Sequence, residues 1–371
     1  PEIQPYYCVR CCSNSVILRT LSSSGVNFAC GSKHEIQTLL EMGVKENRIL
    51  YESTTKCPSH LKYAEKCGVR LMCSDSAVDM ERIRDDKARL LLRIAVHDSS
   101  QQAFLNDQFG CSLEEAEQLM RIAKKKQLKI VGVSFDMGVI SLTDDAFSLT
   151  VRNARSVFDL GQQMGFSMTV LNIGGGFAIT SQKNEGFLQV SRLIKSALNE
   201  HFSSSSELTV IAEPGPFLVA SAFTLATKVV AKKSKVTALK AGCQRYDEVF
   251  INESKYNSIP RDASEEKGIS IRPLAEYNDR NRDVWTTFWA ATSNPRDLIF
   301  DRLLFWPVHV NEWLLIDNVG AYSTVLACSF NGSGMPPVMY ITSADDAENV
   351  SKGTAATAIC SGYSQLERAV K

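Results

Sequence analysis

Short apolar, β-branched or aromatic runs alternate with longer stretches of helical periodicity from residue 6 to about residue 212. The apolar runs fall at residues 6–9, 26–30, 49–51, 71–73, 90–95, 130–133, 169–173 and 208–212. Runs this short, continuous and bounded by polar segments predict strands buried on both faces, as in a parallel sheet. Between them, 3.6-residue periodicity predicts helices at 15–21, 33–42, 59–66, 77–84, 113–126, 145–164 and 186–201. Two of these carry start signals, Ser32 with Glu35 and Ser112 with Glu115. Each pair is expected to close a capping box, hydroxyl and carboxylate satisfying the first free amides reciprocally. About eight strand–helix repeats of ~20–30 residues predict a (β/α)8 barrel. No G-x-G-x-x-G follows a strand, which argues against an open dinucleotide-binding sheet.

Beyond Pro216 the texture changes. Strands are expected at 223–231, 312–317, 324–328 and 338–341, while 254–283 is polar and poorly patterned and 343–371 gives no assignment. The fold class is therefore α/β, with a barrel over 1–216 followed by a β-rich domain over 217–371. Composition narrows the function classes. The 371 residues carry 41 basic and 41 acidic side chains, so no bulk charge draws the chain to nucleic acid or an acidic membrane. No run of ~18 apolar residues encodes a spanning helix. Eleven scattered cysteines fit no disulfide framework, and no paired C-x-x-C with matching histidines predicts a metal site. Buried free thiols in the cytoplasm are the expectation.

Candidate chemistry gathers at strand ends. Gly174, Gly175 and Gly176 follow the seventh predicted strand, where glycines permit positive φ and let backbone amides close on an anion. The same residues would equally serve a tight strand-to-helix turn. Glu213 ends the eighth strand, where barrel enzymes place their chemistry, and a carboxylate there could hold a protonated ring nitrogen. Tyr322, in Gly320-Ala321-Tyr322, offers a phenol with small neighbours.

These motifs together resemble eukaryotic ornithine decarboxylase and its non-catalytic relatives, the antizyme inhibitors. Tyr6-Tyr7-Cys8-Val9-Arg10-Cys11-Cys12 stands where the family pattern is FYAVKCN. Ser32-Lys33-His34-Glu35-Ile36-Gln37, Leu91-Leu92-Arg93-Ile94-Ala95, Ile173-Gly174-Gly175-Gly176-Phe177, Ala212-Glu213-Pro214-Gly215 and Gly320-Ala321-Tyr322 follow in the family's order. The resemblance covers nearly the whole chain. It implies an alanine-racemase-like barrel with a C-terminal β domain, and a further N-terminal portion ahead of Pro1, so that the barrel is expected to be N-terminally truncated.

The resemblance also implies that the chemistry has been removed. The lysine of FYAVKCN, which forms an imine with pyridoxal phosphate in the active family, is Arg10. A guanidinium stays protonated and cannot form that imine, so no covalent cofactor is expected. The family's ring-stacking histidine aligns with Asp136, a phosphate-binding serine with Val139, the phosphate-facing arginine with Pro216, and an aspartate beside the cofactor with Ala29. The family's GPTCDG aligns with Ala290-Ala291-Thr292-Ser293-Asn294-Pro295. Its proton-donating cysteine becomes Ser293, a far weaker acid, and its substrate-facing aspartate Asn294. Another substrate-facing aspartate aligns with Glu253. Glu35, Arg93, Gly174, Gly175, Gly176, Glu213 and Tyr322 survive as a remnant cofactor site. Antizyme docks in the family on a segment aligning with residues 56–75, and Lys56, Lys62 and Tyr63 are among the matches. The reading that follows is a non-catalytic homologue that binds antizyme. The alternatives are a pyridoxal-phosphate decarboxylase with altered chemistry and a drifted copy without function. A homodimer is compatible with each.

Overall fold

The computed structural model describes residues 2–96, 108–138, 145–177, 185–203, 207–239, 242–260, 268–275, 280–341 and 359–360. Two compact units divide it, one holding residues 1–13 and 17–217, the other residues 14–16 and 218–371.

In the first unit eight parallel strands close into a barrel: β1 (Ile3–Cys8), β2 (Asn27–Cys30), β3 (Ile49–Tyr51), β4 (Leu71–Ser74), β5 (Arg89–Arg93), β6 (Lys129–Ser134), β7 (Val170–Asn172) and β8 (Thr209–Ala212). Between them run α1 (Ser15–Ser23), α2 (Lys33–Glu41), α3 (Pro58–Lys66), α4 (Ala77–Arg82), α5 (Leu113–Lys125), α6 (Ala146–Gln163) and α7 (Glu185–Phe202). The short β-branched runs become strands because each is buried on both faces. β3, for instance, is buried along its whole length, and so is β7. Closure comes from β1 pairing with β8 in the register Ile3↔Val210, Gln4↔Ile211, Pro5↔Ala212. Between β6 and β7 the backbones approach so closely that a Cβ on Gly132 would lie 1.8 Å from the Val170 carbonyl oxygen. Only glycine fits there.

The start signals hold in different degrees. Ser112 and Glu115 form the full reciprocal box at α5. At α2 the Ser32 hydroxyl accepts from the Glu35 amide, but the Glu35 carboxylate accepts from the Gly31 amide at 2.7 Å. That half of the expected box is replaced by a bond that steadies the strand-to-helix turn.

In the second unit six strands form one sheet in the order β11–β14–β9–β10–β12–β13. They are β9 (Thr224–Leu239), β10 (Gly242–Ile251), β11 (Ser270–Pro273), β12 (Val284–Ala290), β13 (Leu298–Phe305) and β14 (Trp313–Asp317). Its core packs Phe288 edge-on against Phe300 and Phe305, with ring centroids 6.3 and 4.9 Å apart. The strand expected at 324–328 is a 3-10 turn, Thr324–Leu326. Positive φ at Tyr322 breaks the extended backbone just before it, and the Leu326 amide closes on the Ser323 carbonyl at 2.9 Å. Among the described residues no helix is long and apolar enough to cross a membrane.

Candidate functional site

The C-terminal ends of the barrel strands surround a small recess, open to solvent and lined in part by Glu52, Cys73, Arg93, Ser134, Asp136 and Glu213. β1 runs into a 3-10 turn, Val9–Cys11, that carries Arg10. The Arg10 guanidinium pairs with the carboxylate of Glu52, the residue after β3. Glu52 is buried, whereas 40% of the Arg10 side chain is exposed. One turn of strand earlier, the Cys8 thiol donates to Glu213 Oε2 at 3.4 Å. The Asn172 side-chain amide, at the end of β7, donates to Glu213 Oε1 at 2.5 Å. Burial pushes the Glu213 carboxyl up, against the pull of Arg10 and the Asn172 hydrogen bond. Burial, and then the negative charge of Glu213, push the Cys8 thiol well up.

Asp136 follows β6, its Oδ1 accepting from the Gly138 amide at 3.0 Å and its Oδ2 lying 4.0 Å from the Arg93 guanidinium. Gly174 and Gly176 have φ of +67° and +88°. The Gly174 amide is spent on the Asn172 side chain at 3.0 Å, and its carbonyl accepts from the Glu213 amide at 2.7 Å. A Cβ on Gly174 would lie 2.4 Å from the Phe135 carbonyl oxygen, so close approach of β6 and β7 ends already requires this glycine. Pro216 opens a short helix, α8 (Pro216–Val219), and brings no charge. Ala29 lies buried in β2, and Val139 falls outside the described residues. Pyridoxal phosphate needs an amine, a carboxylate for its ring nitrogen and cations or amides for its phosphate. Of these the recess presents Glu213, already engaged by Cys8 and Asn172, and the guanidinium groups of Arg10, paired with Glu52, and Arg93, near Asp136; the end of β1 presents Arg10 where the amine would stand.

Glu253, Ser293 and Asn294 come together in the second unit. β10 and β12 run parallel with Ile251 opposite Ala290, so all three residues leave the sheet at one end. Asn294 donates to the Tyr256 hydroxyl at 2.5 Å, and Ser293 is exposed. Glu253 is 8% exposed and its Oε2 has no hydrogen-bond partner. Burial raises it to about 7, against the Ser254 and Ser258 amides. A carboxyl raised on folding stabilises the fold most at low pH and loses that contribution as pH rises through its folded value. Stability of the second unit should therefore decline from about pH 4.5 to about 7, and Glu253→Gln should flatten the decline. All four tryptophans, Trp285, Trp289, Trp306 and Trp313, lie in this unit, so urea melts followed by tryptophan fluorescence read it selectively. Tyr322 lies in the same unit, half-buried at φ +50° after β14. The Gly320 ahead of it is fixed by packing: a Cβ would lie 1.8 Å from the Val219 carbonyl oxygen.

The segment expected to dock a partner needs one correction. Lys56 is buried, its ammonium held by Asp79 Oδ2 at 2.8 Å and by the Cys73 carbonyl oxygen, 5.5 Å from the Tyr51 ring centroid. It is a core cation and reaches no partner. Lys62 is exposed on α3, and Tyr63 is half-buried with the Lys33 ammonium 5.0 Å from its ring centroid. Cys8, Glu52 and Asn172 escaped the sequence reading, since they meet only when β1, β3, β7 and β8 close one ring. One signal was available for Cys8, which stands at the alanine of FYAVKCN.

Comparison with known proteins agrees with this geometry. Residues 1–220 match the family described as "Pyridoxal-dependent decarboxylase, pyridoxal binding domain". The ornithine decarboxylase of Mus pahari is 35% identical over 356 residues, covering 92% of this chain and 76% of the relative. Antizyme inhibitor 2 of Xenopus laevis is 33% identical over 350 residues, with the same coverage. The arginine decarboxylase of Paramecium bursaria Chlorella virus, solved bound to agmatine, superposes with a TM-score of 0.82 at 27% identity, covering 90% of this chain and 88% of that one. A strand-closed barrel with its polar groups at the carboxyl ends of β1, β3, β7 and β8, followed by a β unit, thus meets a family match over more than half its length. The chain belongs to the pyridoxal-dependent decarboxylase family, among the eukaryotic ornithine decarboxylases and antizyme inhibitors.

Proposed function

We propose that this chain is a non-catalytic member of its family that regulates polyamine synthesis by binding antizyme. The observation that carries the reading is Arg10, a permanently charged guanidinium at the position of the imine-forming lysine, paired with buried Glu52. The rest of the recess supports it. Asp136 brings an anion to the position of the family's ring-stacking histidine, and Pro216 supplies no cation where the family has its phosphate-facing arginine. With no amine at the end of β1 and Glu213 already engaged, the residues present do not fit covalent pyridoxal phosphate. Antizyme inhibitors among the relatives support the partner, and the exposure of Lys62 on α3 is compatible with a contact there. Free thiols, most of them buried in the barrel, support a cytoplasmic setting.

Immobilised antizyme should retain the purified chain at micromolar concentration, and Lys62→Glu should weaken retention. A chain that passes through unretained removes the reading. The surviving Glu213 and the ornithine decarboxylases at 35% identity favour a second reading, a working decarboxylase. With added pyridoxal phosphate we expect no imine absorbance and no lysine adduct fixed by borohydride. Such an adduct would install the second reading in place of the first.

A further inference from the structure

We propose that Asp136 is a tethered anion whose carboxylate fills the anion-binding corner of the recess and bars phosphate-bearing ligands from it. The end of β5, the end of β6 and the turn after β7 make that corner. The turn has φ of +67° at Gly174 and +88° at Gly176, left-handed positions that gather backbone amides into a concavity for an anion. Among the described residues no acceptor takes the Gly175 or Gly176 amide. Arg93 supplies the cation. Its side chain is 18% exposed, and the Phe109 ring, with its centroid 5.3 Å from the guanidinium carbon, holds it at the corner.

Asp136 stands among these groups. Its Oδ1 accepts from the Gly138 amide at 3.0 Å, and a Cβ placed on Gly175 would lie 3.9 Å from the same oxygen. A Cβ on Gly174 would lie 3.0 Å from the Asp136 Cβ. The carboxylate therefore lies against the glycine turn, with a backbone amide on Oδ1 and the Arg93 guanidinium 4.0 Å from Oδ2. An amide and a guanidinium are the partners a bound phosphate would take. The contact with Arg93 is loose, but a side chain fixed to β6 needs no tight grip, because its tether keeps its local concentration high. An incoming phosphate meets a fixed negative charge instead of an open corner. At the effective dielectric of a protein surface, a like charge about 4 Å away weakens binding by more than about tenfold.

The inference deepens the reading of a recess without covalent cofactor and rests on it, so the probe is inorganic phosphate, which forms no imine. Asp136→Asn removes the charge while its side-chain oxygen can still accept from the Gly138 amide. Asp136 and Arg93 are both partly solvated, so this fold should survive, and far-ultraviolet circular dichroism checks it. Phosphate is titrated by calorimetry into the full chain at constant ionic strength. The parent chain should show no saturable binding in the millimolar range, and Asp136→Asn should bind at least about tenfold more tightly. The melting temperature of the variant should rise with phosphate while that of the parent stays flat. Adding Arg93→Gln to Asp136→Asn should erase the gain. If Asp136→Asn does not fold, Asp136→Ser repeats the test with a shorter acceptor. Saturable phosphate binding by the parent overturns the proposal, as does a folded variant that gains nothing or a gain that survives Arg93→Gln. A borohydride-fixed imine would end the non-catalytic reading, whereas a phosphate titration without gain would end this inference alone.

Discussion

Asp79→Ala is expected to destabilise the barrel by about 3–5 kcal/mol, enough to remove a large part of an ordinary domain's stability. Its partner Lys56 is fully buried, and the 2.8 Å bond to Asp79 Oδ2 is the charge that balances the ammonium there. Removing the carboxylate leaves a cation in the interior with a carbonyl oxygen and a tyrosine ring for company. The double variant Lys56→Met with Asp79→Leu should recover most of the loss, because it removes both charges and keeps the volume. Urea unfolding followed by far-ultraviolet circular dichroism checks both, since the tryptophans report the other unit. A double variant as unstable as Asp79→Ala would show that the cost lies in packing and not in the orphaned charge.

Gly132→Ala should cost about 3 kcal/mol or more, by a different mechanism. The added methyl would stand 1.8 Å from the Val170 carbonyl oxygen and 2.6 Å from its carbon, in backbone that no rotamer change relieves. β6 and β7 must separate, which adds lost ladder hydrogen bonds to the overpacking. Gly25→Ala is the control. Nothing lies within 4 Å of its added methyl, so only the φ of +82° opposes it, at a cost of about 1 kcal/mol. Equal losses at the two positions would refute the steric account.

These two sites mark what was legible in the chain and what was not. The eight barrel strands read clearly because each is a short apolar run buried on both faces, a property of local composition. β10 and β13 did not, since alternation there is interrupted by charged residues such as Asp247, Glu248 and Asp301 that pair across the sheet or with lysines. Residues 324–328 look like a strand in composition, yet positive φ at Tyr322 sends the backbone into a turn. Glu213 was legible as a strand-end residue, and Arg10 through its place in the family motif. Their companions Cys8, Glu52 and Asn172 were not, because positions 8, 52, 172 and 213 become neighbours only through barrel closure. Lys56 was misjudged for the same reason. A lysine ahead of an amphipathic helix reads as solvated, and the buried aspartate that captures it lies 23 residues further on.

The seam between β1 and β8 also sets a timetable. Ile3 pairs with Val210, so 207 residues separate the partners that close the ring. At about 5–20 residues per second, a chain being synthesised carries β1 for about 10–40 s before β8 exists to receive it. During that interval Tyr6 to Cys8 can pair with β2, while Ile3 to Pro5, which await β8, form an unpaired edge. The exposed Glu2 and Gln4, together with Pro5, which lacks an amide hydrogen, stand at that edge and make it a poor template for a stray strand. Closure of the ring therefore waits on residues 209–212, the last of the eight strands to be made.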